Sequence, residues 1–504
     1  MSELAAQIRR LIMPILDLRE GQDLDAAWAN AEAQVRAGYG GLILFGGSLP
    51  ELPERLAGLR ALAPAGLLIA ADVERGVGQQ VSGARHWPPA MALGATARLD
   101  LAEAAGYALG SDARAAGIDW IFGPVLDLAD EPRNPIVGAR ALGAEPALVA
   151  GLGAAYLRGI QRAGALACAK HFPGHGGTVD DSHATLPRVG HDLARLEARD
   201  LAPFQAAVAA GVASVMTAHV AYPALGVEGP GTRAPEIVRD LLRDRLGFQG
   251  LVVTDALMMA GVQGPDGDEG AAACAALAAG CDVLLYPSDP DATAAAVERW
   301  AAAEDGAARI HEAARRIDAA LARLRQPPEP SRLEVQQLAE AALTAPLAPV
   351  TPLDTQLPLT ALVLDDDDVP GFAHELLASL SDAGCQLILA PVRPESDAGE
   401  LARARQLAGE ASQLLLVVGC RVRAWKGRPG LAAPLEQLVR AFPRARVVGL
   451  CGPGPLSAAL ADDAQLLLAY GDGPALQRAA AAALSGGPVP GRLPVPWTPD
   501  DAAG

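Results

Sequence analysis

The sequence predicts an α/β protein, with an N-terminal (β/α)8 TIM-type barrel followed by a C-terminal open α/β sandwich domain. Three observations carry that expectation. Eight short apolar runs, separated by Ala-rich segments of helical spacing, fill the first 290 residues. Their polar residues gather at the C-terminal ends. A second, shorter series of such runs follows a Pro-rich break near residue 326.

The eight runs are LIMPILD (11–17), GLILFG (41–46), GLLIAAD (66–72), IDWIFGPVLD (118–127), ALACAKHF (165–172), SVMTAHV (214–220), LVVTDAL (251–257) and VLLYPS (283–288). Runs that are apolar on both faces suit parallel strands covered on each side. Intervening stretches such as PALVAGLGAAYLRGIQRAG (146–164) carry helical periodicity. Eight β/α units in this length match a barrel, with a doubly wound open sheet as the alternative. Asp17, Asp72, Asp127, Lys170 with His171, His219 and Asp255 end or nearly end their runs. In a barrel that rim is where βα loops assemble a site, although a single Asp there is equally a helix cap. The expected division is a catalytic barrel over 1–325, a helical connector over 326–344 and a sandwich domain over 345–504. The last contains LTALVLDD (359–366), CQLILAPV (385–392), QLLLVVG (413–419), ARVVGLCG (445–452) and AQLLLAY (464–470). None of these runs leads into a GxGxxG fingerprint, so no dinucleotide site is expected.

Composition narrows the function. A formal net charge of −18 argues against a nucleic-acid or anionic-membrane partner, both of which require a basic face. No apolar run approaches the roughly 20 residues that span a bilayer, and the N-terminus lacks a signal-peptide plan. Six scattered cysteines without CxxC spacing read as small core residues in a reducing compartment, so the expected location is the cytoplasm. The pattern admits a homodimer.

The segment KHFPGHGGTVDDSHATLP (170–187) concentrates the chemistry. His171 and His175 stand four apart, as on a metal-binding helix; Pro173 and Gly174 between them oppose a helix, but Asp180, Asp181 and His183 could supply further ligands, so a metal stays open. A phosphate cradle needs a helix start after its glycines, and VDDSHATLP is a poor one. A purely structural loop also stays open. The remaining reading is acid/base: Asp181 and His183, two apart, share one side of an extended segment, so the carboxylate can hold one imidazole nitrogen. Flanking glycines would let such a loop move over a substrate.

These motifs resemble family 3 of the glycoside hydrolases, most closely its bacterial β-N-acetylglucosaminidase branch. KHFPGHG…DSH is the most specific, supported by GPVLDLADEPRNPIVGARALG (123–143), MTAHVAYPAL (216–225), LRDRLGFQGLVVTDALMMAG (242–261) and, near the end, GRLPVPW (491–497). The resemblance implies Asp255 as catalytic nucleophile and His183 as general acid/base with Asp181 as its partner. It implies Asp72, Arg140, Lys170 and His171 as sugar-binding residues. It further implies a carbohydrate substrate, no cofactor and no metal. The expected activity is a retaining exo-acting β-N-acetylhexosaminidase that removes terminal β-linked GlcNAc, with a muropeptide as the first candidate substrate. A phosphorylase, another exo-β-glycosidase and a non-catalytic sugar-binding barrel are the alternatives.

Two departures bear on substrate. The family's D-x-E-G-G-x-x-x-R reads DVERGVGQQ (72–80), with Gln80 at the arginine position and Arg75 at a glycine position, so a relocated arginine contact would fall to Arg75. PGTRAP (230–235) stands where the family tends to carry an ATLS-like run.

Overall fold

The structure is a computed structural model, and it describes residues 2–131, 133–180, 185–263, 267–303, 306–325, 329, 331–421 and 430–497. Contacts divide the chain into two compact units. One gathers Met1–His86, Ala102–Leu128 and Val149–Leu333, the other Trp87–Leu101, Ala129–Leu148 and Glu334–Gly504.

In the first unit the strands are β1 (Ile12–Met13), β2 (Ile15–Leu18), β3 (Gly41–Gly46), β4 (Leu68–Ala71), β5 (Trp120–Ile121), β6 (Leu166–Phe172), β7 (Ser214–Thr217), β8 (Leu251–Val253) and β9 (Leu284–Leu285). Each falls on one of the apolar runs, β2 passing the end of its run by one residue. Strands β2 to β8 form one sheet in sequence order, every pair parallel. β1 pairs with β9. Val253 bridges Val283, where the Thr254 N–H donates to Val283 O at 3.0 Å, and the Leu284 N–H donates to Leu11 O at 2.8 Å. Pro14 supplies no N–H and separates β1 from β2. The run 118–127 yields only the two residues of β5, since Gly123 and Pro124 follow; beyond them Val125 makes a single bridge to Lys170. Strands β4, β6, β7 and β8 are buried along their whole length, as strands covered on both faces must be.

Helices between the strands are punctuated by their own sequence. Leu24–Ala37 begins at Asp23, which accepts the Ala26 N–H at 3.1 Å, and ends at Gly38 in the left-handed region. Among the described residues no helix is long and apolar enough to cross a membrane.

Two buried carboxylates precede strands and brace the opposite end of the sheet from the polar rim. Asp119 accepts from Arg60 at 2.8 Å, from the Ile69 N–H at 3.0 Å, and from Arg114. Asp282 accepts from Arg243 at 2.6 Å, Arg309 at 2.5 Å, Arg316 at 3.0 Å and the Val252 N–H at 2.9 Å. Each is paired and fully hydrogen-bonded, the condition under which a buried charge is tolerated.

The second unit carries a five-stranded parallel sheet. Its strands are β10 (Leu359–Asp365), β11 (Leu387–Val392), β12 (Gln413–Gly419), β13 (Arg446–Gly449) and β14 (Gln465–Leu468), in the order β11-β10-β12-β13-β14. Alternate residues feed two cores. Leu362, Leu364, Leu416 and Val418 join one cluster, while Ala361, Val363, Leu415 and Val417 join the other. The fold class is therefore α/β with parallel sheets in both units.

Candidate active site

Parallel strands that all run one way bring their C-terminal ends to one side of the sheet, and the rim residues of the first unit meet there. Asp72 and Glu74 follow β4, Lys170 and His171 close β6, His219 follows β7 and Asp255 follows β8.

Lys170 is buried, with Nζ 2.6 Å from Asp72 Oδ1 and 2.8 Å from Glu74 Oε1. One ammonium between two carboxylates leaves this group with net negative charge. The Lys170 side chain is 2% exposed and Asp72 30%, so Asp72 is the member of the pair open to a ligand. Gln80 donates through Nε2 to Asp72 O at 3.1 Å, bracing the backbone under that carboxylate. The residue that replaces the family's arginine has thus become a backbone support. Arg75 is exposed, and its N–H donates to Gln79 Oε1 at 2.8 Å.

Asp127 organises the next group. It is buried and accepts the His171 N–H on both oxygens at 3.2 Å, the His175 N–H at 2.7 Å, and a contact of 2.7 Å from His171 Nδ1. Burial alone would raise the Asp127 carboxyl, but His171 beside it holds the pKa below the usual carboxylate range. An ionised Asp127 makes His171 Nδ1 the donor and turns Nε2 away from the carboxylate. Burial pushes the His175 imidazole down to about 4, against the pull of Asp127. His175 Nδ1 lies 2.8 Å from Thr178 Oγ1, whose proton goes to His175 O at 3.0 Å, so Nδ1 carries the ring proton.

At Asp255, Oδ1 accepts the Ala256 N–H at 2.8 Å. Burial would raise this carboxyl; His171, His219, the Ala256 N–H and Lys170 outweigh it and hold the pKa at about 2. His219 is buried, and burial lowers its pKa, so its imidazole is neutral at pH 7.

Of the residues that the sequence points to, Asp72, Lys170, His171 and Asp255 share this rim. Arg140 belongs to the second unit, where it ends the turn Gly138–Arg140 and donates to Ile136 O at 3.3 Å. Asp181 and His183 lie outside the described residues, while Asp180 is exposed. Asp17 binds its own neighbour Arg19, with Nε at 2.8 Å, instead of joining the cluster. Sequence reasoning does not single out Glu74 or the anchoring part of Asp127. Both stand in quoted motifs, but only their partners reveal their use. Among the described residues no three His, Cys, Asp or Glu side chains are grouped to hold a metal ion.

Residues 22–324 match the model of the glycosyl hydrolase family 3 N-terminal domain, more than half of the chain. The chain belongs to glycosyl hydrolase family 3. It is 41% identical over 262 residues to a β-hexosaminidase of Chromobacterium violaceum, covering 50% of this chain and 72% of that one. A β-hexosaminidase of Methylococcus capsulatus is 40% identical over 266 residues, covering 51% and 78%. Among solved structures, a family 3 β-N-acetylglucosaminidase from Paenibacillus sp. str. FPU-7 superposes with a TM-score of 0.85 at 29% identity, over 99% of both chains. That likeness spans both units. This family 3 chain is a glycoside hydrolase.

Proposed function

We propose that this glycoside hydrolase is a retaining, exo-acting β-N-acetylhexosaminidase that works through a covalent glycosyl-aspartate at Asp255. One observation carries the reading. Asp255 sits at a strand end on the same rim as the Asp72–Lys170 pair, of which Asp72 is open to a ligand, with its carboxyl held ionised and Oδ1 taken by a backbone N–H. Oδ2 is the oxygen without a hydrogen bond among the described residues, and so the one free to attack. The β-hexosaminidase relatives support N-acetylhexosamine as the sugar.

In the first step Oδ2 bonds to the anomeric carbon as the glycosidic bond breaks, and His183, protonated and paired with Asp181, gives its proton to the departing oxygen. In the second, neutral His183 takes a proton from water while that water displaces Asp255 from the anomeric carbon. Asp72, Lys170 and His171 hold sugar hydroxyls, with Arg75 as a further contact. A rim of parallel strands, with 283–285 linking β8 to β1, supports a closed (β/α)8 barrel over about 1–325 as the catalytic scaffold. Residues 326–344 are then a connector, and 345–504 a sandwich domain with a structural or dimer-forming role. A terminal GlcNAc on a muropeptide, met in the cytoplasm, is the substrate this reading puts first.

Incubation with a fluorinated N-acetylglucosaminyl fluoride should stop turnover and add one glycosyl mass to the LVVTDAL peptide, at Asp255. A label on another residue, or turnover of aryl β-N-acetylglucosaminides by Asp255→Asn at the wild-type rate, would sink the proposal.

A further inference from the structure

His219 and the PGTRAP segment take no part in the bond-breaking steps at Asp255, yet the structure joins them beside it. Thr232, within PGTRAP, has its hydroxyl 2.9 Å from Thr217 Oγ1 and 2.8 Å from His219 Nδ1. His219 Nε2 in turn stands 3.2 Å from Ala256 O, one residue past Asp255. All these groups are buried except Ala256, which is partly so.

Proton bookkeeping fixes the direction of this chain. A neutral imidazole carries one proton, and a nitrogen facing a carbonyl oxygen must be the one that holds it. His219 therefore donates from Nε2 to Ala256 O and accepts at Nδ1. The acceptor at Nδ1 takes the single proton of the Thr232 hydroxyl. That hydroxyl also lies 3.1 Å from Ala218 O, but it cannot serve both. The Thr217 hydroxyl then donates to Thr232. The result is a relay of hydrogen bonds with one sense, from Thr217 through Thr232 and His219 to the Ala256 carbonyl.

Ala256 is gripped from two sides. The segment around it is tied to residues 283–285, with Thr254 N–H on Val283 O at 3.0 Å and Leu257 N–H on Leu285 O at 2.9 Å. Its carbonyl is tied by His219 from the other flank. Its N–H is the donor to Asp255 Oδ1 at 2.8 Å. A rotation of this residue as a body would swing that N–H and, with it, the carboxylate.

We propose that His219, set by the Thr217–Thr232 hydroxyl pair, is a positioning residue that locks Ala256 and thereby aims the Asp255 carboxylate at the anomeric carbon. The inference rests on Asp255 being the nucleophile. It also gives PGTRAP a purpose: Thr232 supplies the proton that selects the His219 tautomer.

The test uses the full chain and the rate of covalent labelling by the fluorinated N-acetylglucosaminyl fluoride. Thr232→Val keeps the shape and removes the proton, whereas Thr232→Ser restores the hydroxyl. The valine variant should label about 10- to 100-fold more slowly at saturation, the range a misaimed reacting group costs. Its dissociation constant for GlcNAc should stay within about 2-fold of wild type, and the serine variant should recover most of the rate. Labelling of Thr232→Val at the wild-type rate, or an equal loss in the serine and valine variants, overturns the proposal. If Thr232→Val does not fold, His219→Gln is read by the same two measurements, and a wild-type labelling rate there overturns it equally. A wild-type label at a residue other than Asp255 is a different result, since it removes the nucleophile assignment itself.

Discussion

At the scale of the residue, the site is a set of ionisable groups whose environments push their pKa values in chosen directions. His175 is the clearest for stability, because burial holds its folded pKa at about 4 against an ordinary value of 6.5. A histidine with a depressed folded pKa binds its proton more readily in the unfolded chain, so acidification favours unfolding. The loss begins as pH falls through 6.5 and is complete near 4. Asp255 adds to it at lower pH, as its stabilisation is present above the ordinary carboxyl value of 3.8 and is lost towards 2. His175→Asn keeps a donor for Thr178 and removes the titration. Between pH 7 and pH 4.5 the wild type should lose roughly 2–3 kcal/mol more stability than the variant. Urea unfolding at the two pH values checks this, and parallel losses in both proteins would refute a neutral buried imidazole. Sequence makes the candidates visible as polar ends of apolar runs. It hides their division of labour: Asp127 reads as one more helix cap until its four contacts to the 171–175 segment are seen.

At the scale of the element, the strands are legible because they are continuous apolar runs, and every strand falls on its run, β2 overrunning by one residue. Their lengths are less so, since Pro14 and the Gly123–Pro124 pair interrupt pairing within runs that look uniform in hydropathy. The helix contacts are not legible at all. Helices Leu99–Ala115 and Pro146–Arg162 approach so closely that a Cβ at Gly106 would sit 2.0 Å from Tyr156 O, and one at Gly159 would sit 2.1 Å from Glu103 O. Those obstacles are backbone, so no rotamer change relieves them and the helices must part. Gly58, in the helix Leu52–Ala61, is the internal control, since a Cβ added there would meet nothing within 4 Å among the described residues. Gly159→Ala should destabilise by about 1–3 kcal/mol or more, whereas Gly58→Ala should stabilise by about 0.4–1 kcal/mol through the unfolded chain. Thermal unfolding of the two variants should move in opposite directions. A helical glycine lowers propensity wherever it stands, and only the partner helix distinguishes a packing requirement from a tolerated defect.

At the scale of the whole molecule, the two units are not successive lengths of chain. The second unit takes Trp87–Leu101 and Ala129–Leu148 from within the first 150 residues and combines them with Glu334–Gly504. Met91, Ala92 and Ala95 are buried in the same cluster as Leu362, Leu364 and Tyr470. The closing segment GRLPVPW stitches these pieces together: the Arg492 N–H donates to Ala95 O at 2.8 Å, and Pro494 O accepts the Ala144 N–H at 3.0 Å. Composition marks the Pro-rich break near 326 but cannot show that connections between early strands are claimed by a later sheet, because that depends on contacts hundreds of residues apart. A chain cut after Leu333 would keep the helix Ala90–Thr96 and segment 129–148 while removing the core that buries them. Met91, Ala92 and Ala95 would then face water, an exposed apolar patch that promotes aggregation. Expression of residues 1–333 should therefore give insoluble protein, or soluble protein that binds a hydrophobic dye and hydrolyses no aryl β-N-acetylglucosaminide. Deleting only 491–497 from the full chain removes those two backbone ties together with the Gly491 N–H bond to Leu343 O and the packing of Leu493, Val495 and Trp497, but leaves the buried members of the cluster in place, so it should lower the melting temperature without abolishing folding. Should 1–333 instead unfold cooperatively, bind no dye and match the full chain in kcat/KM, the second unit would be dispensable to the fold of those two segments.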